Sequence, residues 1–167
     1  SGHAILHGGG RDNFMENNIM VGCGSALSSD SRGLHAIVHD GSSWDLLQKI
    51  VDMNYQQDPW ASAYLALAAM PNDWAVISDP ALDWLYPEDC VFSRNVAFRT
   101  TNFMRENLSG GDGTFDKFAE IADNLQDTDP LFVDEVGGDF NLSADSPAWD
   151  INGFVEIPFD EIGIQPE

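Results

Sequence analysis

The sequence predicts an all-β chain, a parallel β-helix with an α-helical excursion in its middle. The first observation is a phrase near the start, Asp12-Asn-Phe-Met-Glu-Asn-Asn-Ile-Met-Val-Gly-Cys23, which nearly recurs as Cys90-Val-Phe-Ser-Arg-Asn-Val-Ala-Phe98. In both, short alternating apolar runs flank an asparagine, Asn18 or Asn95, the pattern of short strands joined at a corner. Alternation would send Met15 and Met20, and later Phe92 and Phe98, into a shared core. An asparagine at the bend tolerates left-handed backbone angles, and its amide can bond to the same residue type in the next coil. Between the two phrases the alternation gives way to helical spacing.

Taken in order, residues 1–23 form a coil. Ala4-Ile5-Leu6 reads as a strand running into Gly8-Gly9-Gly10, which calls for a sharp turn or a close backbone approach. Residues 24–87 form the excursion. Ser42 and Ser43 cap a helix over Trp44 to Met53, with Leu46, Leu47, Ile50 and Val51 on one face. Asp58-Pro59-Trp60 opens a second helix through Tyr64, Leu65 and Leu67 that ends at Met70-Pro71, because proline cannot continue a helix interior. Residues 88–167 return to closing coils. Within them Gly110 to Gly113 mark a loop, and Thr114 to Asp123 read as a short helix turning Phe115, Phe118 and Ile121 inward. A chain of 167 residues is long enough for a single domain with its own core.

Seven Lys and Arg against 28 Asp and Glu give a formal charge of -21, which repels phosphate backbones and anionic lipid surfaces. Nucleic acid is excluded as a natural partner. No apolar run reaches the roughly 18 residues of a membrane span; the nearest, Ala61 to Met70, is too short. An acidic surface suits a secreted or salt-adapted protein, and divalent cation binding is the sharper alternative. The chain begins at Ser1-Gly2 without an initiator Met or an apolar leader, as a processed chain or an excised piece of a longer one would. Cys23 and Cys90 could pair, but both occupy apolar strand positions and read as free, buried thiols.

The closing stretch contains Asp129-Pro-Leu-Phe-Val-Asp134, Gly138-Asp-Phe-Asn-Leu142, Asp145-Ser-Pro-Ala148 and Gly153-Phe-Val-Glu-Ile-Pro-Phe-Asp-Glu-Ile-Gly163. It resembles the carboxy-terminal part of secreted right-handed parallel β-helix proteins, the pectate-lyase-like group that includes glycoside hydrolases and polysaccharide lyases. "HGGGRDNFMENNIMVGC" is similar to a preceding coil, and "DPWASAY" and "YPEDCVFSRNVAF" resemble β-helix hydrolases similar to fucosidase and xylanase enzymes. The resemblance implies the C-terminal coils, about the last third, of a secreted carbohydrate-active protein. A glycoside hydrolase acting on polysaccharide or oligosaccharide is the expected activity, with a non-catalytic carbohydrate-binding or structural module as the alternative. One fold hosts many chemistries, so the architecture is implied more strongly than the activity. An uncovered first coil would expose apolar side chains and unpaired backbone, so a cap, a partner or self-association through the N-terminal coil is expected.

Glycoside hydrolysis needs two carboxyl groups about 5 to 9.5 Å apart. Asp12 and Glu16, with His7 and Arg11 beside the glycine turn, form the candidate cluster: Arg11 could lower one carboxyl pKa and leave another to act as acid. Asp12 could equally satisfy turn amides and Glu16 be a solvated outward residue. The histidines fall in look-alike phrases, His3-Ala-Ile-Leu-His7 and His35-Ala-Ile-Val-His39. On a helix that spacing suits zinc; on a strand it separates the rings by about 13 Å. His39 beside Asp40, and His7 beside Asp12, are candidate acid/base partners if the excursion folds back over the coil. Gly110 to Asp116 lacks the repetition of a glycine-rich calcium motif. The cluster Asp123, Asp127 and Asp129 lacks the spacing of a helix-loop-helix calcium loop. No cofactor is therefore expected, a surface calcium ion staying open. Of the five tryptophans, Trp60 and Trp84 could wall a groove and stack on sugar rings, or fasten the excursion onto the coils as core.

Overall fold

The computed structural model describes residues 2–29, 33, 41–79, 81–106 and 114–162. Nine short strands recur in groups of three: β1 (His3–His7), β2 (Phe14–Glu16), β3 (Ile19–Val21), then β4 (Ser25–Ser29), β5 (Val91–Ser93), β6 (Val96–Phe98), then β7 (Asn102–Glu106), β8 (Glu120–Ala122), β9 (Leu125–Gln126). They assemble into separate parallel sheets ordered β1-β4-β7, β2-β5-β8 and β3-β6-β9. The two repeated phrases lie on one another, with Phe14 opposite Val91, Met15 opposite Phe92, and Met20 opposite Ala97.

Corners between strands carry left-handed residues. Asn17, Arg94 and Asp123 have φ of 58°, 55° and 52°, and each precedes an asparagine. The following amides form a column: Asn18 Nδ2 donates to Asn95 Oδ1 at 2.8 Å and Asn95 Nδ2 to Asn124 Oδ1 at 2.9 Å. Asn95 also donates to the Met15 carbonyl at 2.9 Å. Asn95 is fully buried, so this satisfaction of its amide is what makes the burial tolerable.

The core lies within these layers: Met20, Ala26, Leu27, Phe92 and Ala97 are buried together, with Ile5, Met15, Phe103 and Met104 packed against them. Phe98 is not among them; Ala97 takes the inward place and Phe98 lies under the Arg99 guanidinium, 4.8 Å from its ring centroid. The left-handed Arg94 resets the alternation at the corner, so parity counted from Phe92 no longer holds beyond it. The strand Ser25–Ser29 is buried along its whole length. Its serines meet histidine: His3 Nδ1 lies 2.7 Å from Ser25 Oγ and 2.6 Å from Ser28 Oγ, and His7 Nδ1 lies 3.5 Å from Ser29 Oγ.

The expected all-β parallel β-helix is corrected by this architecture. The described residues form a mixed α/β arrangement of short strands: three three-stranded parallel sheets, a two-stranded antiparallel sheet of β10 (Phe132–Asp134) and β11 (Asp139–Leu142), and α-helices between β4 and β5. Among the described residues no sheet closes on itself or runs on as a solenoid. The strands are two to five residues long, and left-handed residues follow β2, β3, β5, β6, β8 and β9 directly, which keeps the sheets separate.

The helices are α1 (Leu46–Asp52), α2 (Trp60–Ala63), α3 (Leu65–Ala69) and α4 (Trp74–Ile77). The cap of α1 is Asp45, whose carboxylate accepts from Gln48 N; Ser42 acts one step earlier, accepting from Asp45 N at 3.2 Å. The single helix expected from Trp60 to Met70 is divided at Tyr64, where φ is -135° and ψ is 79°. Tyr64 serves both halves, its N–H donating to Trp60 O and its carbonyl accepting from Ala68 N. Asp73 caps α4, its carboxylate accepting from Ala75 N at 2.8 Å. Buried Tyr55 donates its hydroxyl to Met70 O at 2.7 Å, and burial raises its pKa above the ordinary 10.0. Thr114 to Asp123 is no helix: a short 3-10 turn at Phe115–Lys117 leads into β8. Phe115 and Phe118 still pack on the core, while Ile121 stays partly exposed in the outermost layer. Both cysteines are free, Cys90 buried and Cys23 only partly so.

Candidate functional site

A groove of about 650 Å³ runs between the glycine turn and the α2–α3 junction. Gly9 and Gly10 hold φ of 91°, a conformation that glycine adopts without steric cost. They deliver Arg11 and Asp12 to one wall. The opposite side carries Tyr64, Leu65 and Leu67, and the segment after α4 supplies Trp84 and Tyr86. The break at Tyr64 matters here, because it leaves that ring 56% exposed beside the groove. Trp60 does not line the groove but stacks behind Tyr64, ring centroids 6.3 Å apart and planes 27° from parallel.

Charged groups hold the aromatic wall. Arg11 is paired with Glu88, approaches Asp89 at 4.0 Å, and lies 6.0 Å from the centroid of Trp84. Lys117 pairs with Asp83 at 2.7 Å and lies 5.4 Å from the centroid of Tyr86. Each ring thus has a cation near it that is itself anchored to a carboxylate, an arrangement favoured by the ring quadrupole. Asp12 is exposed, and its N–H donates to Glu88 O at 3.2 Å.

The structure brings Arg11, Asp12 and Trp84 together and separates the other sequence-derived candidates. Glu16 lies at the far end of β2, accepting from Ser93 Oγ at 2.8 Å and paired with Arg94. It borders a different, open depression formed with Asn17 and Val155 to Phe159. His7 is 7% exposed, inside the layers. Its Nε2 lies 3.1 Å from Asn13 Nδ2 and 3.7 Å from Cys90 Sγ, so its described contacts face inward. His39 lies outside the described residues, as does the Gly110–Gly113 loop. His3 and His7 stand at opposite ends of a strand, which removes the helical zinc geometry. Among the described residues no group of three or more His, Cys, Asp or Glu is arranged to hold a metal ion. Asp123 and Asp127 are left-handed corner residues, and Asp129 accepts from Leu131 N at 2.9 Å.

None of the five tryptophans is buried: Trp44 and Trp149 are exposed and Trp60, Trp74 and Trp84 half-buried. Sequence reasoning missed Tyr64, Tyr86 and Glu88. A signal for Glu88 was present, since carrying the repeat two residues upstream from its matched start places Arg11 beside Glu88 and Asp12 beside Asp89. Among the described residues no helix is long and apolar enough to cross a membrane. Compared with protein families, with curated proteins and with solved structures, the chain matches none.

Proposed function

We propose that the groove between the glycine turn and the α2–α3 junction binds carbohydrate. The observation that supports this best is its lining: Tyr64, Trp84 and Tyr86 share one groove of about 650 Å³ with Arg11 and Asp12. Sugars present C–H faces that pack on aromatic rings and hydroxyls that need placed donors and acceptors. The size is that of ordinary ligand clefts, about 300 to 1,000 Å³. Calorimetric titration with oligosaccharides tests the reading. Trp84→Ala should weaken binding at least tenfold while the far-ultraviolet circular dichroism stays unchanged; a folded wild-type chain that binds no sugar overturns it.

A hydrolytic role is the second reading, favoured by a specific pair. Asp12, in the groove, donates its N–H to the Glu88 carbonyl at 3.2 Å, which brings two carboxylate-bearing residues to adjoining backbone positions, and glycoside hydrolysis uses two carboxyl groups about 5 to 9.5 Å apart. In this reading Glu88 replaces Glu16 as the second carboxylate. Release of reducing ends from polysaccharide, lost in Asp12→Asn, would support turnover; binding without release leaves a binding module.

An extracellular location accords with the strong acidity and a glycan ligand, and detection confined to the cytosol would remove it. The outer edge of β1, β2 and β3 pairs with nothing among the described residues and exposes Phe14 (69%) and Leu6 (47%). Such an edge supports self-association through these N-terminal strands. Light scattering that gives a monomer at every concentration would exclude it.

A further inference from the structure

We infer that the groove selects uncharged glycans and rejects uronic-acid or sulfated ones, an inference that rests on the carbohydrate reading of the same groove. An anionic sugar would need cations free to receive it. Arg11 is engaged by Glu88 and lies 4.0 Å from Asp89, and Lys117 is engaged by Asp83 at 2.7 Å. Asp12 adds a further carboxylate to the lining itself. Among the described residues around the aromatic wall, two cations therefore face four carboxylates, within a chain of net charge -21.

A carboxylate or sulfate on the ligand would have to displace a protein carboxylate from its cation or enter a region of uncompensated like charge. Both raise the cost of binding. A neutral sugar meets neither penalty: it packs on Trp84, Tyr86 and Tyr64 and offers hydroxyl hydrogens to Asp12. The ion pairs then act as struts for the rings. Arg11 and Lys117 hold Trp84 and Tyr86 in place, and their partners keep them from serving as anion receptors.

The test is a calorimetric comparison of neutral hexasaccharides, of the cellulose and xylan type, with hexagalacturonate, at about 20 and 300 mM salt. The wild-type chain should bind a neutral hexasaccharide at least tenfold more tightly than hexagalacturonate at low salt, with the gap narrowing at high salt as repulsion is screened. Glu88→Gln releases Arg11 and should raise affinity for hexagalacturonate several-fold. Asp89→Asn, at a more exposed position (66%), should do the same to a smaller extent and serves if the first variant does not fold. Hexagalacturonate binding as tightly as the neutral sugars to the wild-type chain overturns the selectivity and leaves the carbohydrate reading standing. Binding of neither class overturns both.

Discussion

The parallel layers and the helical segment differ in where their apolar side chains go. In the layers Ala26, Leu27, Phe92, Val96 and Ala97 are wholly buried, and Asn18, Asn95 and Asn124 are bonded to one another in a column. In α1 to α4 only Ile77 is buried, while Leu65 is 76% and Tyr64 56% exposed. Two of the helices are four residues long, well below what sustains an isolated helix in water. The helical segment is thus held by its attachment to the layers. Stability resides in one region and the groove's Tyr64 wall in the other, so substitutions should sort into two classes.

The largest effect is expected at Phe92. Its replacement by alanine should cost about 3 to 5 kcal/mol, read as a shift of the urea midpoint; a loss below about 1 kcal/mol would deny the layers their role as the stability centre. Asn95→Ala comes next, at about 2 to 3 kcal/mol, because it leaves Asn18, Asn124 and the Met15 carbonyl short of partners within the stack. An unchanged thermal midpoint would show the amide column to be ornamental.

On the helical side a smaller effect is expected at Tyr55. Burial raises its folded pKa above the ordinary 10.0, so the folded chain holds the phenolic proton more tightly than the unfolded one. The resulting stabilisation is fully present below pH 10 and is lost as pH rises through the folded value. Tyr55→Phe should cost about 1 kcal/mol at neutral pH through the lost bond to Met70 and should flatten stability against pH above 10. Equal alkaline sensitivity in the two proteins would exclude Tyr55 as its source.

The sequence disclosed those parts whose signal is local. The pairing of 12–23 with 90–98 and the Asn18 to Asn95 bond could be read because strand, corner and amide recur at matching positions. The third layer could not: Glu120-Ile-Ala and Leu125-Gln carry one large apolar residue each, and the spacing of Phe115, Phe118 and Ile121 imitates a helix. β4 escaped notice because Ser25-Ala-Leu-Ser-Ser is polar, and its buried hydroxyls are satisfied by His3, by His7 and by the Ser25–Ser28 bond, none of which shows in the local sequence. In the groove, Arg11, Asp12 and Trp84 were legible from the glycine turn and an aromatic in the excursion. Tyr64, Tyr86 and Glu88 depend on where the chain returns. Glu16 was misleading because four residues along an extended chain span about 13 Å, enough to carry it from one corner to the next.

The amide column also changes what the intervening chain is to the fold. Asn18 and Asn95 find one another through a side-chain bond at a corner, and register on either side follows from it without reference to the length of the connection. Loop-closure cost grows only slowly with length. The helices from Leu46 to Ile77 should therefore be exchangeable provided that Glu88 and Asp89, which bond to Asp12 and Lys117 of the layers, are kept, so that a new wall for the groove would not require redesigning the layers beneath it.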